Sequence, residues 1–217
     1  MNSFQPNIVT LVVIVAGLGL ITFAIVTMTA FIKISVVMFL LRNALGIQQT
    51  PPNIILYGIA LVLTIFIGAP VAQQVYKQFE TSGAKLDTFQ DWVAASERAR
   101  EPIRDYMTRF TGPSERDFFL NATKRVWPED MQQSATSSDM AILIPSFVIS
   151  ELRRAFEIGF LIYLPFIAID LIISAILMAL GMSMVPPITI SVPFKLFLFV
   201  SIEGWSKLFH GLVLSYA

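Results

Sequence analysis

The groups that could do chemistry in this chain are ions set among apolar residues. Lys195, Asp170, Glu151 and Glu157 lie in or beside long runs of Leu, Ile, Phe and Val. There an ionisable side chain must find a partner, shed its charge or reach water. Lys195, the most deeply placed cation, calls for an acid on another helix or another subunit, because an unpaired ammonium costs several kcal/mol. Glu151, Glu157 and Asp170 are the candidate acids. Glu151 has Arg154 within helical reach and Glu157 has Arg153, so the segment Glu151-Leu-Arg-Arg-Ala-Phe-Glu157 can neutralise itself. Asp170 has no cation nearby in sequence. It reads as a protonated acid, a group at a helix kink, half of a pair across an interface, or a proton relay.

Catalysis has little to work with. There are no cysteines, and His210 is the only histidine. Neither a glycine-rich phosphate loop nor a metal-spaced cluster occurs, so no enzyme activity, metal or cofactor is expected. On a continuous helix Lys195, Glu203, Ser206, Lys207 and His210 fall within an arc of about 120°, a stripe suited to protein or water and not to lipid. Met182 and Met184 sit between two apolar runs. Such a pair is ordinarily packing filler, yet thioethers gathered from several subunits can close a pore and still deform around a passing chain.

The elements that must position these groups follow from where charge is missing. Of 217 residues 55% are hydrophobic and 14% charged, against about 25% charged in an ordinary soluble domain. Fifteen Lys and Arg balance fifteen Asp and Glu, which leaves no basic field for a nucleic-acid backbone. Residues 1–32 and 43–76 contain no charged side chain, whereas nine Lys/Arg and eleven Asp/Glu crowd into residues 77–139. A bilayer core of about 30 Å needs roughly 20 apolar residues. The expected class is therefore an all-α membrane protein with two hydrophobic helical hairpins, residues 1–76 and 140–217, flanking a polar helical insertion, residues 77–139.

Within the first hairpin one helix is expected from Ile8 to Leu41 and a second from Ile54 to Tyr76, with Gly46, Pro51 and Pro52 turning the chain. Met1–Asn7 is uncharged and the apolar run after it, Ile8–Ile32, is too long for a secretory signal, so the first helix reads as retained. In the second hairpin Ile158–Leu180 inserts despite Asp170, because fourteen Leu, Ile and Phe residues outweigh a central acid. The last segment, Pro186–Ala217, is punctuated by proline and charge and needs protein neighbours. A weak internal repeat links the hairpins: Ala44-Leu45-Gly46, four residues, Pro51-Pro52 matches Ala179-Leu180-Gly181, four residues, Pro186-Pro187. In the insertion, apolar residues recur at helical spacing from Phe89 to Phe110, with Pro102 marking a kink or restart. Ser114 with Asp117 reads as a capping box for a helix that Trp127-Pro128 ends, and Ser138 as the cap of a helix entering at Met140.

Several blocks taken in order resemble a known family. Phe39-Leu-Leu-Arg42-Asn43-Ala-Leu-Gly46, Glu151-Leu-Arg-Arg-Ala-Phe-Glu-Ile-Gly-Phe160, Leu164-Pro-Phe-Ile-Ala-Ile-Asp170, Met184-Val-Pro-Pro187 and Pro193-Phe-Lys195 look like the SctR/FliP family of type III secretion export-gate proteins. The resemblance implies a bacterial inner-membrane export apparatus. In it, several copies of this subunit join SctS/FliQ-type and SctT/FliR-type subunits and an SctU/FlhB-type switch protein in a helical pore complex that passes unfolded protein substrates. It implies a gate at Met182 and Met184, with Ser183 standing where flagellar members carry a methionine, and an inter-subunit ion pair between Glu151 and Lys195. It also implies that the assembly is displaced towards the periplasm. The Met-Ser-Met tip and the uncleaved N-terminus favour the virulence type over the flagellar. Positive-inside counting at Lys33 and Arg42 puts both termini and the insertion in the periplasm. The competing reading is a secondary transporter or ion channel that uses Asp170 and Lys195 as coupling charges.

Overall fold

A computed structural model describes residues 8–47, 49–81, 89–182 and 184–217, and every regular element among them is helical. The order is α1 (Ile8–Met28), α2 (Phe31–Ala44), α3 (Asn53–Thr81), α4 (Phe89–Phe110), α5 (Pro113–Val126), α6 (Glu129–Gln132), α7 (Met140–Ala179), α8 (Pro187–Ser201) and α9 (Gly204–Leu214). Met1–Asn7 and Ser183, to which the N-terminal and gate expectations also refer, lie outside the described residues.

The centre is the pairing of α2 with α7. Ile34, Val37 and Met38 of α2 interlock with Leu143, Phe147 and Ala155 of α7, joined by Leu56 and Ala60 of α3, Met107 and Phe110 of α4, and Leu212 and Tyr216 at the C-terminal end. Gly159 lets the two central helices touch, for the Leu40 side chain fills the place a Cβ would take. A second cluster of Leu41, Ala44, Leu45, Phe166 and Phe199 binds α8 to the same pair.

At 40 residues, α7 is about 60 Å long, twice the thickness of a bilayer core. Its first half carries the buried Ser146, Ser150 and Glu151 and packs on α4 and α5 of the insertion. Ser150 Oγ accepts the Gly112 amide at 3.0 Å, and Ser146 Oγ donates to the Glu115 carbonyl at 3.3 Å. Its second half is apolar and largely uncovered. Among the described residues two helices, Asn53–Gln78 and Met140–Ala179, are long and apolar enough to cross a membrane, and two bent pairs bring the number to as many as four.

The two hairpin tips end by one device. Gly46 (φ 77°) and Gly181 (φ 72°) take the left-handed conformation after α2 and α7. At the second tip the Gly181 amide bonds the Met178 carbonyl at 3.1 Å and the Met182 amide bonds that of Leu177 at 2.9 Å, the Schellman pattern that satisfies the last carbonyls of a helix. The repeated Ala-Leu-Gly thus has a shared physical role.

Four sequence expectations need correction. The first helix does not run unbroken to Leu41: it bends by 68° between Met28 and Phe31, where the Thr27 and Thr29 hydroxyls donate to carbonyls four residues back and loosen the ladder. Pro186–Ala217 is likewise two helices, bent by 61° at Ile202 and Glu203. That bend removes the continuous stripe from Lys195 to His210. Ser114 makes no capping box, since α5 starts from Gly112 with Pro113 in its first turn and the Ser114 hydroxyl bonds Glu115 Oε2 at 2.7 Å. The N-cap of α7 is Asp139, not Ser138, and its carboxylate is occupied by the Thr136 amide at 2.8 Å and hydroxyl at 2.9 Å. Pro102 lies inside α4, which does not restart there, and Pro165 lies inside α7.

Candidate functional site

Three features bring the chemistry-bearing residues into place. The first is an ionic node at the waist of the α2–α7 pair. Glu151, wholly buried, lies 3.4 Å from Lys33 Nζ, itself 1% exposed. Its other oxygen accepts Arg154 Nη1 at 3.3 Å, and the Tyr216 hydroxyl donates to Glu151 Oε2. The Lys33 ammonium sits 3.5 Å from the centroid of the Tyr216 ring. A carboxylate in this position is held by two cations and a phenol, the satisfaction a buried charge requires. Burial first, and the Glu151 charge second, hold the phenols of Tyr106 and Tyr216 protonated well above the usual tyrosine range. Tyr106 stacks on Tyr216 and tilts against Phe110 and Phe147, so α4 is fastened to the same node.

The second feature lies near the hairpin tips. Lys195, 3% exposed, donates to Asp170 Oδ2 at 2.6 Å and to the Ala44 carbonyl at 3.1 Å. One ammonium therefore ties α8 to α7 and to the end of α2. Lys195 finds its acid on another helix, and of the three candidates the one beside it is Asp170, whose side chain is 40% exposed. Lys195 and Glu151 do not meet within the chain. In a single copy both groups are buried and already partnered.

The third feature is the second tip itself. Held beyond Gly181, Met184 is 94% exposed and Met182 44%, flanked by exposed Leu180 and Ile188. Thioethers so placed touch little of their own chain. They are no core filler in the isolated subunit.

The remaining candidates are peripheral. Arg153 reaches Glu157 at 3.0 Å and Glu115 at 3.4 Å, and its side chain is exposed, where such pairs contribute little. The Ser114 hydroxyl, with Arg153 a smaller influence, draws the Glu115 carboxyl below the usual carboxylate range. His210 is exposed, and no cluster among the described residues could hold a metal ion.

The roles of three residues escaped sequence reasoning: Lys33, read only as a topological charge, Tyr216 and Arg42. Tyr216 follows an apolar run in which a tyrosine looks like one more hydrophobic residue. Arg42 closes the first tip by donating to Asn53 Oδ1 at 2.6 Å and to the Pro51 carbonyl at 3.3 Å while lying over Phe39. The sequence signal for Arg42 was available, an unpaired cation directly before a glycine and proline turn.

Comparison with known proteins now bears on these features. The sequence profile of the FliP family matches residues 14–212. The chain is 56% identical over 216 residues to a probable translocation protein, y4yL, of Sinorhizobium fredii, covering 100% of this chain and 97% of that one. It is 44% identical over 211 residues to the Yop proteins translocation protein R of Yersinia pestis, covering 97% of each. Against the harpin secretion protein HrcR of Erwinia amylovora the identity is 43% over 216 residues, with 100% of both chains covered. These matches span nearly the whole chain, and it belongs to the FliP family, among its virulence-type SctR members.

Proposed function

We propose that this chain is a core subunit of a type III secretion export gate, with the second hairpin tip lining the passage through which unfolded protein crosses the inner membrane. The reading rests on relatedness along the whole chain to proteins named for translocation and harpin secretion. One structural observation carries its geometry: a methionine tip 94% exposed at Met184 and fastened at its base by the Gly181 turn. Flexible thioethers repeated around a ring form a soft seal that yields to a chain and closes behind it.

On this reading several copies, together with SctS-, SctT- and SctU-type neighbours, cover much of the apolar surface of α3, α7 and α8 outside the groove between α7 and α9. The insertion, residues 77–139, faces the periplasm, towards which the assembly is displaced, and no catalytic step is assigned to the chain. Across the seams between copies, Glu151 and Lys195 are proposed to pair, each exchanging a partner it holds within the free subunit.

The test is conductance. Replacing both Met182 and Met184 by Ala in the assembled complex should let small ions leak across the inner membrane while the complex still forms. An unchanged conductance removes the tip from the gate. The Lys195–Asp170 pair supports a second reading, a small-solute transporter with these as coupling charges. It requires uptake by vesicles that contain this chain without neighbours.

A further inference from the structure

Between the second half of α7, the end of α8 and α9 lies an open groove of about 420 Å³, within the range of small-molecule sites, about 300–1,000 Å³. Its walls are apolar: Ile158, Ile162 and Phe166 from α7, Phe199 from α8 and Leu208 from α9. The one charged residue on its lining is Lys207. This exposed ammonium makes no ion pair among the described residues, not even with Glu203 one turn earlier.

The groove is built into the fold. It exists because α9 turns 61° away from α8. That bend holds Glu203, the one non-glycine residue with positive φ among those described, at φ 56°, a conformation that persists only where the surroundings enforce it. Gly204 secures the bend from inside, since the Phe199 ring lies where its Cβ would be.

We propose that this groove binds a membrane phospholipid with an anionic headgroup, its acyl chain lying along Phe166 and Leu208 and its phosphate at Lys207. Apolar walls that carry a single cation without an ion pair complement an amphiphile with one negative end. A neutral apolar helix would leave the ammonium without a partner, and an acidic peptide would leave the walls uncovered.

The full-length chain in nanodiscs, with phosphatidylglycerol or phosphatidylethanolamine carrying a photoactivatable acyl chain, tests this. Crosslinks should fall on residues 158–166 and 204–212, with phosphatidylglycerol preferred by about fivefold, the worth of one lysine at a membrane surface. Lys207→Gln should abolish that preference while tail crosslinks persist, Lys207→Arg should retain it, and Leu208→Trp should lower labelling by both lipids. Equal labelling of wild type by the two lipids overturns the headgroup assignment. Crosslinks spread evenly over the apolar helices, or labelling lost when a neighbouring protein subunit fills the groove, overturn the site.

Discussion

The charged residues divide by what would happen if a partner left. Glu151→Gln strands the Lys33 ammonium, 1% exposed, and should destabilise the subunit by about 3–5 kcal/mol, the cost of an uncompensated buried charge. Removing both, as Lys33→Met with Glu151→Leu, should restore most of the loss, because Arg154 is 39% exposed and can turn to water. Thermal unfolding in detergent measures both. Lys195 separates the intrachain pair from the one proposed between copies. Lys195→Glu should block assembly; rescue by Glu151→Lys assigns the inter-subunit partner, whereas rescue by Asp170→Lys leaves the bond within the subunit, with native gel migration as the readout. At this scale the sequence was partly legible. Lone charges in apolar runs marked Asp170 and Lys195 as residues needing partners, whereas Lys33 was read only as a topological charge, and spacing along one helix cannot say which distant helix supplies a partner. Lys195 and Asp170 are 25 residues apart and meet only because α8 folds back along α7.

Among the elements, helix ends were easier to read than helix bends. Glycine before a proline pair fixed both tips, since only a residue without Cβ takes φ near +75° at low cost. The bends after Met28 and before Gly204 carry no proline. They arise from threonine hydroxyls competing for carbonyls and from a phenylalanine ring seated on a glycine, which a hydropathy pattern does not record. The tips also differ in a measurable way. At Gly46 a Cβ would lie 2.8 Å from Val192 Cγ2, whereas at Gly181 it would meet nothing within 4 Å. Gly181→Ala should cost about 1 kcal/mol through backbone strain alone, and Gly46→Ala should cost more because α8 must also shift. Equal unfolding temperatures for the two variants would contradict that packing of α8 on the first tip.

Taken whole, the subunit is finished at its centre and unfinished at its surface. Only 17% of the most apolar window of α3, and the same share of that of α7, is buried within the chain, while Phe197, Val200, Phe160 and Leu161 stand exposed. Patches of this extent mark surfaces to be covered by lipid or protein. The sequence announced an apolar, helical, membrane-directed chain through its charge-free runs. It did not reveal how far α7 outruns a bilayer or that the polar insertion packs on its first half, because those follow from long-range contacts. What the exposed methionine tip touches during secretion is the most direct question. A photocrosslinking residue at position 184, in a complex holding an export substrate stalled in transit, should capture that substrate, and the same residue at exposed Val126 of α5 should not. Equal capture at both positions, or none at 184 while secretion is active, would contradict a gate lined by the second hairpin tip.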